Sequence, residues 1–122
     1  MKAGFVMRKR AYPAGKTWEK ELARIVERLV RQYHPEKIVL FGSLAKGEGS
    51  SESDVDLLVI KRTGERRVNR RVEALRGISR KIPLDVIVLT PEEVEFLRKE
   101  GSPFIREVLS TGKVLYEQKP LV

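Results

Sequence analysis

The chain has 122 residues, a formal net charge of +8, 41% hydrophobic and 34% charged residues, and no cysteine. That length fits one sheet-and-helix core, and the apolar share is too large for a disordered chain. Disulfides, thiolate nucleophiles and thiolate metal sites are excluded, no apolar run approaches the roughly 20 residues that span a bilayer, and the basic balance favours anionic partners.

Residues 1–16 read as a basic arm with turn signals at Pro13-Ala14-Gly15, and the first ten residues lack the apolar core and cleavage site of a secretory signal. A cytoplasmic location is therefore expected. Thr17 reads as a helix N-cap, and Leu22, Ile25, Val26, Leu29, Val30 and Tyr33 follow at helical spacing, which predicts an amphipathic helix over about 18–33. His34-Pro35 breaks it, and His34 reads as a surface turn residue. Lys37–Phe41 is a short buried strand ending at Gly42, and residues 44–53 are a polar loop that opens with one helical turn. Residues 55–61 form a second strand. The short loop leaves no room for a helical crossover, so these strands are expected to be antiparallel.

Val68, Val72, Leu75, Ile78 and Ile82 predict a further amphipathic helix, arginine-rich on its outer side and ended by Pro83. Leu84–Leu89 is a third strand. Thr90-Pro91-Glu92-Glu93 has the N-cap, first-turn proline and capping glutamate of a helix start, with Val94, Phe96 and Leu97 as its apolar side. Ser102-Pro103 opens a last helix carrying Phe104, Ile105, Val108 and Leu109 and closed by Gly112; Val114-Leu115-Tyr116 adds an edge strand. The fold class is α/β (α+β), a small sheet with helices packed on it. The expected division is the arm, one domain over 17–117, and a tail over 118–122.

Phe41-Gly42-Ser43 is separated by ten residues from Asp54-Val55-Asp56, which opens the apolar run Leu57–Ile60. Alternate side chains of a strand share a face, so Asp54 and Asp56 point the same way, about 6.5–7 Å apart. Two cations in a two-metal site lie roughly 3.5–4 Å apart, so these carboxylates can flank such a pair. Oxygen donors without cysteine favour Mg2+ or Mn2+ over zinc. Asp85, second in an otherwise apolar strand, is the natural third ligand if that strand neighbours 55–61; the alternative is a partly wet strand end or a nearby arginine's partner. Gly42 lets backbone approach a phosphate, Ser43 can donate to it, and Lys46 can neutralise it. Gly15-Lys16-Thr17 is not a P-loop, because Arg10 stands where its first glycine belongs. Gly47-Glu48-Gly49 lacks a third glycine, and Ser43 has no histidine near it for a hydrolase triad.

Gly42-Ser43, the Asp54-Val55-Asp56 motif and the later Asp85 resemble the polymerase-β-like nucleotidyltransferase superfamily, most closely its small stand-alone members, the minimal nucleotidyltransferases. The resemblance runs from about 17 to 117. It implies the nucleotidyltransferase fold with a mixed sheet, catalytic and metal-binding roles for Asp54, Asp56 and Asp85 with two Mg2+ ions, and nucleotide binding by Gly42 and Ser43. Lys46 falls where such proteins often have arginine; it keeps the charge and loses the bidentate geometry. The implied reaction is transfer of AMP from ATP to a hydroxyl, and Asp85 could accept that hydroxyl's proton.

The chain has no room for the acceptor-binding domain of larger relatives, so the acceptor side is expected from a partner, a second copy or a small molecule. The resemblance implies a partner, the HEPN-domain toxin of a toxin–antitoxin pair, with this chain as antitoxin. The competing readings are a binding module that occludes its partner without catalysis, and transfer to a small molecule. Nucleic-acid binding through the basic arm and the 66–81 helix is disfavoured because few aromatics are available to stack on bases.

Overall fold

The computed structural model describes residues 17–48 and 54–119. The basic arm, the second half of the loop before Asp54 and the last three residues lie outside the described residues. In chain order the elements are α1 (Thr17–Tyr33), β1 (Lys37–Phe41), β2 (Val55–Ile60), α2 (Arg67–Leu75), β3 (Leu84–Leu89), α3 (Pro91–Lys99), α4 (Pro103–Thr111) and β4 (Lys113–Glu117). Among them no helix is long and apolar enough to cross a membrane.

The four strands form one mixed sheet in the order β3-β2-β1-β4. As expected from the connection, β1 pairs antiparallel with β2, while β3 runs parallel to β2. The parallel pair needs a crossover, and α2 supplies it. Strand alternation sorts the core into two layers. Ile38, Leu40, Val55, Leu57, Val59, Val86 and Val88 face α1 and α2, where Leu22, Ile25, Val26 and Leu29 bury completely. Val39, Leu58 and Leu89 face Ile105 and Val108 of α4, with Val94 and Leu97 of α3 beside them. Edge strand β4 carries one irregularity: Ile38 pairs Tyr116 while Val39 pairs Val114, so Leu115 is an extra residue. The bulge turns both Leu115 and Tyr116 into the α1-side core.

Most helix ends follow their signals. His34 ends α1 at φ 55°, exposed. Thr90 and Glu93 form the reciprocal capping box of α3, with Pro91 in the first turn. The Ser102 hydroxyl accepts from the Ile105 N–H at 3.3 Å to start α4.

The exception is α2. It ends at Leu75, well short of Pro83, and Gly77 at φ 73° turns the chain away. Ile78 and Ile82 still reach the core, from irregular backbone. Val68 and Val72 point to solvent, 70% and 60% exposed, and the inward face is Arg70, Ala74 and Leu75. The physical reason is Arg70. Its guanidinium has a carboxylate partner waiting in Glu93, at 2.6 and 3.2 Å, so the charged side chain can bury. Phe96 and Leu109, expected inside, are likewise more than half exposed.

Candidate active site

The candidate site forms where β1 ends and β2 and β3 begin. Phe41, the last residue of β1, pairs with Asp56, and Asp56 pairs in turn with Asp85. Register partners on adjacent parallel strands project from the same face, with backbones about 4.8 Å apart. That face is the α4 side, shared with Leu58 and Leu89. Asp54 lies immediately before β2 and, with Asp85, is exposed; Asp56 is half-buried.

Gly42 follows Phe41 at φ 80°, a left-handed conformation that glycine adopts without strain. It also needs to be bare. A Cβ built there would collide with Oδ2 of Asp56. The turn therefore lies directly against the carboxylate. Beyond it the chain winds through one helical turn: the Lys46 N–H donates to the Gly42 carbonyl at 3.3 Å, and the Glu48 N–H donates to the Ser43 carbonyl at 3.0 Å. Leu44 and Ala45 anchor the turn in the α1-side core, leaving Ser43 and Lys46 on the outside.

Burial pushes the Asp56 carboxyl above its ordinary range, and the charges of Asp85, Asp54 and Glu107 push it further. Four carboxylates thus share one neighbourhood that a cation would relieve. Among the described residues, however, no three Asp, Glu or His side chains gather closely enough to cage an ion on their own. The oxygen-only donor set and the cradle at Gly42 fit a hard divalent cation bound together with a phosphate chain.

Glu107 escaped the reading of the sequence. It belongs to α4, three residues after Phe104, whose ring stands edge-on to that of Phe41 at 5.2 Å. Because residues three apart share a helix face, Glu107 follows Phe104 to the rim above Asp56. There it holds Lys46, Nζ to Oε2 at 3.4 Å. The only trace in the sequence was the i, i+3 spacing. All six residues singled out in sequence fall at this one end of the sheet: Gly42, Ser43 and Lys46 on the turn, Asp54, Asp56 and Asp85 at the strand starts.

A mixed sheet with an acidic rim beside a bare glycine turn is an arrangement open to a phosphate chain. Comparison with known proteins gives the class. The family model described as polymerase beta, nucleotidyltransferase, matches residues 23–121. The chain belongs to this family and is a nucleotidyltransferase. It is 31% identical over 100 residues to a Methanocaldococcus jannaschii protein provisionally named a protein adenylyltransferase, covering 80% of this chain and 97% of that one. Among solved structures, a provisionally named nucleotidyltransferase from Sulfolobus solfataricus superposes with a TM-score of 0.59 at 22% identity, over 84% of this chain and 86% of that one. A toxin–antitoxin structure with AMP-PNP superposes with a TM-score of 0.51 at 21% identity, over 80% and 74%. At those identities the two structures speak for the fold.

Proposed function

We propose that the protein transfers AMP from ATP to a hydroxyl of a partner protein, as the antitoxin of a cytoplasmic toxin–antitoxin pair whose toxin is a HEPN-domain protein. The observation that carries this reading is the register pair Asp56–Asp85, with Gly42 held bare against Asp56. The name of the archaeal relative supports a protein as acceptor, and the toxin–antitoxin neighbour with AMP-PNP supports the pairing and the nucleotide. The working domain is residues 17–117, flanked by the arm and tail.

Asp54, Asp56 and Asp85 would hold two Mg2+ ions, or Mn2+. The chemistry these supply when bound is a lowered pKa of the attacking hydroxyl and charge compensation on the pyrophosphate. The chain's own residues do the rest. The Gly42 turn admits the triphosphate close to backbone, and the Ser43 hydroxyl donates to it. Lys46 exchanges Glu107 for a phosphate oxygen. Asp85, exposed at the rim, takes the hydroxyl proton as the acceptor oxygen bonds to the α-phosphorus. The bond from that phosphorus to the bridging oxygen breaks, and pyrophosphate leaves.

The test is incubation of the purified protein with α-labelled ATP, Mg2+ and the product of the neighbouring gene. Label on that product, lost with Asp54→Asn, is the expected result. A tight complex that acquires no label contradicts the reading.

A further inference from the structure

Besides the N-terminal arm, one stretch of the chain is strongly basic. Between Lys61 and Lys81 nine basic residues stand against two acidic ones, a net +7. The centre of that stretch is α2, whose outer face carries an apolar ridge. Val68 and Val72, one helical turn apart, are 70% and 60% exposed with arginines on either side. Arg70 is spent inside on Glu93, and Arg76 pairs with Glu73 at 2.6 Å. Arg66, Arg71, Arg80 and Lys81 have no carboxylate within ion-pair distance among the described residues.

We propose that the outward face of α2 is the docking surface for an acidic protein helix that lays an apolar stripe on Val68 and Val72. Two interleaved features select that occupant. Isolated valines are unremarkable, but two at i, i+4 beside Arg66 and Arg71, which no carboxylate pairs among the described residues, match an amphipathic helix with acidic flanks. A nucleic-acid backbone would use the arginines and leave the valine ridge uncovered. The basic arm of this chain, with five basic and no acidic residues over 1–16, lacks the charge to complement the face. A second copy is disfavoured too: the exposed acids of α3, Glu92 and Glu95, are already paired with Arg62 and Arg98.

The surface also adjoins the site. An Arg71 Nη donates to the Leu84 carbonyl at 3.4 Å, and the next residue is Asp85. A helix seated on α2 would therefore bring its neighbouring segments to the edge where β3 begins. This inference rests on the reading that the acceptor is a protein, and it names the chemistry of that acceptor's contact.

The probe is a synthetic helical peptide with leucines at i, i+4 flanked by glutamates, beside a scrambled peptide of equal charge and a double-stranded oligonucleotide. Binding is read by fluorescence anisotropy on the full chain. The expected result is preference for the ordered peptide over the scrambled one, weakened roughly tenfold or more by Val68→Ser/Val72→Ser and by Arg66→Glu/Arg71→Glu separately. ATP-analogue binding should be unchanged in both double variants. Equal binding of the two peptides overturns the proposal. So does a preference for the oligonucleotide that only the arginine variant removes, or self-association by sedimentation that the valine variant abolishes. A wild-type protein that binds the ordered peptide yet adenylylates no partner leaves the docking surface standing and defeats the proposed reaction instead.

Discussion

Gly42 is where the turn backbone meets the acidic rim. Its positive φ and the Asp56 oxygen beside it both forbid a side chain. Gly42→Ala should cost about 1–2 kcal/mol from the left-handed backbone alone, and it should also push Asp56 aside. Urea unfolding and ATP affinity, measured on one preparation, should both fall. Asp56 behaves differently. Burial and three neighbouring carboxylates work against its charge, so Asp56→Asn relieves repulsion in the metal-free protein. The melting temperature of that variant should hold or rise, while transfer drops about a hundred- to a thousandfold, the scale of losing one key electrostatic group. An unfolded variant would make Asp56 structural. The sequence made these residues legible because charge at the start of an apolar strand is anomalous and demands a cause. Glu107 was illegible because a half-exposed glutamate on a helix is ordinary; only Phe104 stacking on Phe41 gives it a location.

Among the elements, α2 and α3 are clasped across the edge of β3 by Glu93, which pairs with Arg70 at 2.6 Å and with Arg67 at 3.6 Å. Arg70 is buried, and it also donates to the Glu65 carbonyl at 2.9 Å and the Val88 carbonyl at 3.3 Å. The Val88 contact, with Arg71 on Leu84, covers carbonyls that an edge strand would otherwise offer to other chains. Glu93 serves twice, pairing Arg70 and accepting from the Thr90 N–H at 2.8 Å. Hydrogen bonds from Arg70 hold its carboxyl at about 2, down from 4.5. A depressed carboxylate contributes stability that is complete above its unfolded value and lost as pH falls toward its folded one. The clasp should therefore weaken between about pH 5 and pH 2. In Glu93→Gln the urea midpoint should change less with pH over that window, and Glu93→Ala should cost about 3 kcal/mol at neutral pH. Periodicity alone misphased α2, because it treats valine as inward and arginine as outward. A buried arginine with a distant partner reverses that rule, and the partner lies 23 residues away. Where apolar side chains had no such rival, as in α1 and the strands β1, β2 and β3, pattern and structure coincide.

At the scale of the whole molecule, two local concentrations of charge stand out. Asp54, Asp56, Asp85 and Glu107 share the rim formed by β2, β3 and α4, and nine basic residues lie between Lys61 and Lys81. The sheet order β3-β2-β1-β4 was only partly readable: loop length pointed to antiparallel β1 and β2, but nothing local specified that β3 lies beside β2. That adjacency brings three separate aspartates to one rim, so the proposed function depends on it. Manganese tests it without an acceptor. In an amide NMR spectrum with an ATP analogue, added Mn2+ should broaden Gly42, Ser43, residues 54–57 and residues 85–86 first, and Asp56→Asn should abolish the effect. Broadening centred on any other part of the chain, or an undiminished response in the variant, would contradict the account.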